Sequence, residues 1–280
     1  MRAYILCALL VATVAGLPEQ KIIGGIEAEI SSHPYAAVLM RYNSNTGSYE
    51  QRCAGSIINS RSILTSVNCV LWMRGYAAAG AAAAGGAVRS HQLARNDSPR
   101  LWSARLGSSL ANSGGVLYTV ESFIIHPQYT VYNNDNDVAI LRTQKFITYG
   151  PNITNIGIAG PGYILGDNTP VTIVGWGAIG YEQERSNQLL KADIGIINHT
   201  TCRQNYNIIS MEVTDNMICA GSPSGGVDFC EGDFGSALVH NNTVLVGIAS
   251  WRTYYSCGLA EYPGVYTSVN KHTAWIQSNA

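Results

Sequence analysis

Charge is scarce in this chain: Asp, Glu, Lys and Arg make up only 12% of its 280 residues, and the formal net charge is -1. With no basic surface there is no electrostatic footprint for nucleic acid, and with no block of like charge there is no charged tail. Apolar runs are short as well. The stretch from Ala3 to Val14 falls below the roughly 20 residues that a membrane-spanning helix needs, and no later stretch reaches that length. Neither Cys-x-x-Cys nor His-x-x-x-His occurs, so no metal and no cofactor is implied. Long 3.6-residue periodicity is missing too, which turns the reading away from helices.

What is present begins with a secretory signal. Met1 to Gly16 carries a positive Arg2, the apolar run and small residues at Ala15 and Gly16, the pattern of a segment removed on export. An extracellular protein is therefore expected. Of the seven cysteines, Cys7 leaves with the signal, and Cys53, Cys69, Cys202, Cys219, Cys230 and Cys257 remain. Six cysteines in an oxidising compartment point to three disulfides, with the pairing open among fifteen arrangements. Sequons at Asn96, Asn152, Asn198 and Asn241 become glycosylation candidates in such a protein.

From Ala36 onwards, short β-branched and apolar segments are separated by turn signals. Ser56 to Asn59, Ile63 to Val67, Tyr118 to Ile125, Val138 to Arg142, Val171 to Val174 and Ala192 to Ile197 read as strands. Ala237 to His240 and Thr243 to Gly247 flank Asn241-Asn242, residues that tolerate the positive φ of a tight hairpin. This rhythm predicts an all-β barrel protein. Only the tail from Lys271 to Ser278 reads as helix, with Trp275 and Ile276 on its packing face. Tyr76 to Val88 departs from the pattern: its alanines favour helix, but Gly80, Gly85 and Gly86 each oppose it by about 1 kcal/mol. A mobile surface insertion running to about Arg100 is expected, placed to border a cleft or hold a partner.

Cys230-Glu231-Gly232-Asp233-Phe234-Gly235-Ser236-Ala237-Leu238 resembles the nucleophile loop of the trypsin-like (chymotrypsin family) serine proteases, Cys-x-Gly-Asp-Ser-Gly-Gly-Pro-Leu. Leu64-Thr65-Ser66-Val67-Asn68-Cys69 is similar to the family's Leu-Thr-Ala-Ala-His-Cys, and Asn136-Asp137-Val138-Ala139-Ile140-Leu141 to its Asn-Asp-Ile-Ala-Leu-Leu. Gly175-Trp176-Gly177, Pro263-Gly264-Val265-Tyr266 and Thr214 to Cys219 extend the match, which covers Lys21 to Ala280 and looks most like secreted insect trypsins. The resemblance implies two Greek-key β-barrels, from about Ile22 to Thr143 and from about Gln144 to Tyr266, with a short C-terminal helix. It implies the sequential disulfides Cys53–Cys69, Cys202–Cys219 and Cys230–Cys257. It also implies an activation peptide, residues 17–21, cut after Lys21 by a trypsin-like protease, so that the new Ile22 ammonium pairs with Asp233.

The departures fall on the chemistry. Phe234 stands in the nucleophile's slot, and a phenyl ring has no hydroxyl to attack a carbonyl. Asn68 stands in the place of the general base, and an amide takes up no proton near neutral pH. Asp137, the retained third member, is left to accept a hydrogen bond from Asn68. Ser236 and Ser250 have no base beside them, and His91, in the insertion, is the histidine to weigh as a stand-in. Ser236 and Ala237 replace the loop's second glycine and proline, which would displace the oxyanion donors around Gly232. Asp228 matches the base of a Lys/Arg specificity pocket and Gly264 its lining. Arg252 replaces the glycine at its entrance, where it would block the pocket or turn inward to satisfy Asp228.

These residues imply a non-catalytic protease homologue: a secreted monomer that binds protease inhibitors, substrates or another protease, with no nucleic acid or membrane partner. The alternatives are a trypsin-like endopeptidase with residual or unconventional activity and a secreted structural or storage glycoprotein.

Overall fold

The computed structural model describes residues 24–72, 95–253 and 256–280. The signal segment, the junction of Lys21 and Ile22, the Ala/Gly-rich stretch and His91 lie outside the described residues. Among those described, two closed six-stranded rings dominate. The first is built from Ala36–Asn43 (β1), Ser48–Ile57 (β2), Ser62–Thr65 (β3), Trp102–Leu106 (β4), Val116–Ile125 (β5) and Ala139–Thr143 (β6). The second is built from Pro170–Gly175 (β7), Leu190–Ile197 (β8), Met217–Gly221 (β9), Ala237–His240 (β10), Val244–Trp251 (β11) and Gly264–Ser268 (β12).

The two rings share one connectivity. In the first, neighbours run β1-β2-β3-β6-β5-β4 and back to β1, all antiparallel. In the second they run β7-β8-β9-β12-β11-β10 and back to β7. Each ring therefore closes by a Greek-key return, which leaves no unpaired edge among these strands.

Period-2 alternation decides what each side chain packs against. Along β1, Ala37 and Leu39 join Ile57, Ile63, Leu106 and Leu141 inside the first ring. Their neighbours Val38 and Met40 face the other way and join Leu64, Ile140, Trp176, Leu190 and Ile248 in a core shared with the second ring. A fully buried Leu or Ile contributes about 1.5–3 kcal/mol, so the seam between the rings is as firmly packed as their interiors.

The expected strands are present with shifted ends. Ser56 to Asn59 is the end of the longer β2, and Ile63 to Val67 is cut short because Val67–Val70 (α1) turns helical. Asn241 and Asn242, at φ 50° and 58°, make the expected hairpin turn between β10 and β11. The tail is helical over Val269–Asn279 (α3), where Val269, His272, Thr273 and Ile276 are buried at helical spacing. Helix outside the tail is a correction: His199–Ile208 (α2) is also helical. Its start signal is Asn198, whose side chain accepts the Thr201 N–H at 3.0 Å. The buried pair Cys202 and Tyr206, four apart, anchors it, and Cys202 is bonded to Cys219. Cys53–Cys69 and Cys230–Cys257 complete the three expected disulfides.

Gly235 is the tightest point between the rings. Its φ is +83°, and a Cβ there would collide with Thr65 Oγ1 and the Ala54 carbonyl. Gly235→Ala is expected to destabilise the fold by about 2–4 kcal/mol, read as a lower urea midpoint. An unchanged midpoint would show that the loop has room to move aside.

Candidate functional site

Three segments meet at the seam. β3 runs directly into α1, which carries Asn68. Asp137 precedes β6, and residues 230–236 form the loop entering β10. The loop is stitched to both rings: the Ala54 N–H of β2 donates to the Phe234 carbonyl at 3.0 Å, and the Gly235 N–H donates to Ala249 of β11 at 2.8 Å.

Asn68 and Asp137 come together as expected. The Asn68 Nδ2 donates to Asp137 Oδ2 at 2.9 Å, and the Asn68 backbone N–H to Oδ1 at 3.0 Å. Ser250 is drawn into the same cluster, its Oγ donating to Oδ2 at 2.6 Å. The Asn68 carbonyl oxygen accepts from the Tyr129 hydroxyl at 2.8 Å, so both ends of the amide are committed. Asp137 is fully buried, and burial pushes its carboxyl up to about 7 against these donors.

Phe234 occupies the loop's apex. Its ring packs against the cores of both rings and lines, with Asn68, a groove of about 210 Å³. Gly232 keeps φ +97°, and the N–H groups of Gly232 and Phe234 have no acceptor among the described residues. Asp233 is buried behind them, accepting from the Gly177 N–H at 2.7 Å and the Cys230 N–H at 3.1 Å. Cβ atoms at Gly175 and Gly177 would collide with this carboxylate, which explains the two glycines flanking Trp176. Burial pushes the Asp233 carboxyl up to about 6.

Of the two arrangements expected for Arg252, the structure does not show the inward one. Arg252 does not reach Asp228: it pairs with Glu231 and donates to the Thr253 and Ser256 carbonyls at 2.7 and 2.9 Å. Asp228 instead accepts the N–H groups of Phe229 at 2.9 Å and Gly258 at 3.2 Å. Phe229 packs beside Asp228. Its fully buried ring lies against Gly264, where a Cβ would come within 2.7 Å of Cε1 and also meet the Asp228 carboxylate. The same ring meets Tyr266 and Phe234 edge-on, at 5.2 and 6.0 Å between centroids. An aromatic plug thus fills the space beside Asp228, while Arg252 and Glu231 form an ion pair outside it.

A family model described as trypsin matches residues 22–276. The chain is 40% identical to trypsin CFT-1 of Choristoneura fumiferana, covering 98% of each chain. It is 37% identical to alkaline trypsin C of Manduca sexta over the full length of both. The chain belongs to the trypsin family. Among solved structures it is similar to neuropsin, a serine protease expressed in the limbic system of mouse brain, with 27% identity and a TM-score of 0.72. That match covers 91% of this chain and 97% of the other.

Within this trypsin-family site, the sequence reading missed Phe229, Tyr129 and Glu231. Phe229 carried a signal, since it sits between two residues already assigned to the pocket and the loop. Tyr129 carried none. Of the sequons, Asn152, Asn198 and Asn241 are exposed, while the side chain of Asn96 lies outside the described residues. No helix among the described residues is long and apolar enough to cross a membrane.

Asp228 gives the site a pH signature. Burial pushes its carboxyl up to about 7, above its unfolded value. A carboxyl raised on folding contributes stability that is complete below its unfolded value and is lost as pH rises through its folded value. The melting temperature of Asp228→Asn is therefore expected to gain on the parent's between about pH 5 and about pH 8 in scanning calorimetry. A constant gap across that range would show that Asp228 titrates as an ordinary carboxyl.

Proposed function

We propose that this trypsin-family chain is an exported protein that binds protein partners at the old protease cleft without hydrolysing peptide bonds. In this reading residues 1–16 are the signal, 17–21 the activation peptide and 22–280 the working domain, whose partners are inhibitors, substrates or other proteases. The observation that carries it is Phe234 at the apex of the nucleophile loop. Acyl transfer needs a nucleophile and a base within hydrogen-bond reach, and here a phenyl ring faces a groove beside an amide already committed to Asp137 and Tyr129. Neither spare serine replaces them, because Ser236 and Ser250 are both buried and Ser250 is spent on Asp137.

A second reading has its own support. The similar proteins bear the name trypsin, which favours an endopeptidase over a silent homologue. Under that reading the chain cuts after Lys or Arg through an unconventional group, and the filled pocket must open on substrate binding.

Turnover separates the two. The protein is cut after Lys21, the Ile22 terminus is verified, and hydrolysis of Lys- and Arg-terminated fluorogenic peptides is followed. The parent is expected to be silent. So is Asn68→His/Phe234→Ser, because the Phe229 ring still fills the pocket. Adding Phe229→Ser clears the space beside Asp228 and is expected to raise hydrolysis by at least about 10²-fold over the double variant, the scale lost when a substrate is misplaced. Steady turnover by the parent that co-purifies with the chain would overturn the non-catalytic reading.

A further inference from the structure

The groove beside Phe234 is lined by more cation than it uses. Arg41, Arg52 and Arg185 all border it. Arg41 is neutralised by Asp97, which also accepts the Trp102 Nε1–H at 3.0 Å. Arg52 and Arg185 have no carboxylate in ion-pair range among the described residues. Among the described residues Arg185 donates only to the Gln51 carbonyl, and its Cδ lies 2.8 Å from where a Gly232 Cβ would stand, so the side chain is laid over the 230–236 loop.

The nearby acids are committed elsewhere. Glu231 holds Arg252, and Glu50 accepts from Asn43 Nδ2 at 2.7 Å and Thr46 Oγ1 at 3.1 Å. Burial, first, and the nearby Arg52 hold the Arg185 guanidinium below its ordinary value, outweighing the opposite pull of Glu231, Asp233 and Glu50.

We propose that the Arg52 and Arg185 pair binds the carboxylate of an acidic residue in an extended peptide lying along this groove. The rest of the lining names the rest of the ligand. Phe234 and Leu71 give the same groove apolar surface. A free phosphate would leave the phenyl ring uncovered, whereas an acidic residue followed by an apolar one satisfies both. Guanidinium forks bind carboxylates with charge-assisted, often bidentate hydrogen bonds, so Arg suits this task better than Lys. This names the ligand chemistry for the binding role proposed above and rests on that role.

The test uses the full secreted chain and rhodamine-labelled Gly-Ala-Glu-Leu-Ala, with Gln and Lys counterparts, followed by fluorescence anisotropy at low and physiological salt. The Glu peptide is expected to bind about tenfold more tightly than the Gln peptide, with Lys weakest and the difference narrowing with salt. Arg52→Gln, which breaks no side-chain hydrogen bond or ion pair among the described residues, is expected to bring Glu and Gln within about threefold of each other. Arg185→Gln should act in the same direction. Equal binding of Glu and Gln by the parent, an unchanged preference in Arg52→Gln, or displacement of the Glu peptide by millimolar inorganic phosphate would each overturn the proposal. Mass spectrometry of the recovered peptides keeps the two readings apart: cleaved peptide overturns the non-catalytic role, while the Glu preference is judged from binding alone.

Discussion

Two backbone hydrogen bonds, from Ala54 to Phe234 and from Gly235 to Ala249, hold the 230–236 loop between the rings. They involve no side chain, so they survive whatever residue stands at the apex. This separates scaffold from chemistry. The φ of +83° at Gly235 and the collisions a Cβ would meet there make the backbone path obligatory, while the side chain at 234 lines a groove. The path of the loop is thus set apart from the residue that stands at position 234.

The site also concentrates buried carboxyl groups. Asp137, Asp228 and Asp233 are all nearly solvent-free, and each is served by N–H or O–H donors rather than by a cation among the described residues. Burying carboxylates without cations costs stability. Hydrogen bonds recover part of that cost, and neutralisation by a proton recovers more, which is why all three are pushed upward. Asp228 carries this cost beside the buried Phe229 ring.

The fold was largely legible because alternation is a local property. Tyr118 to Ile125 and Val171 to Val174 were readable as strands from residue type, and Asn241-Asn242 marks its hairpin in the same way. Helix α2 was not legible, since its hold comes from the Cys202–Cys219 bond and the burial of Tyr206, both long-range facts. At the site, Asn68, Asp137 and Phe234 were readable from flanking motifs. The partner of Arg252 was not, because its ion pair with Glu231 joins residues 21 apart in the sequence and is settled only in three dimensions. The shared connectivity of the two rings left no repeat in the sequence, because a ring demands apolar parity rather than particular residues.

Each ring closes only when its fourth strand returns to its first, and the site closes only when the rings meet. The contact of Asn68 with Asp137 spans 69 residues, and that of Asn68 with the Ser250 carbonyl spans 182. Loop-closure entropy places contacts of such separation late in the order of folding. Residues at the seam therefore contribute little to the rate at which either ring nucleates. The side chains at Asn68 and Phe234 can therefore vary without slowing the chain's path to its native form, and so without a penalty in the yield of folded protein.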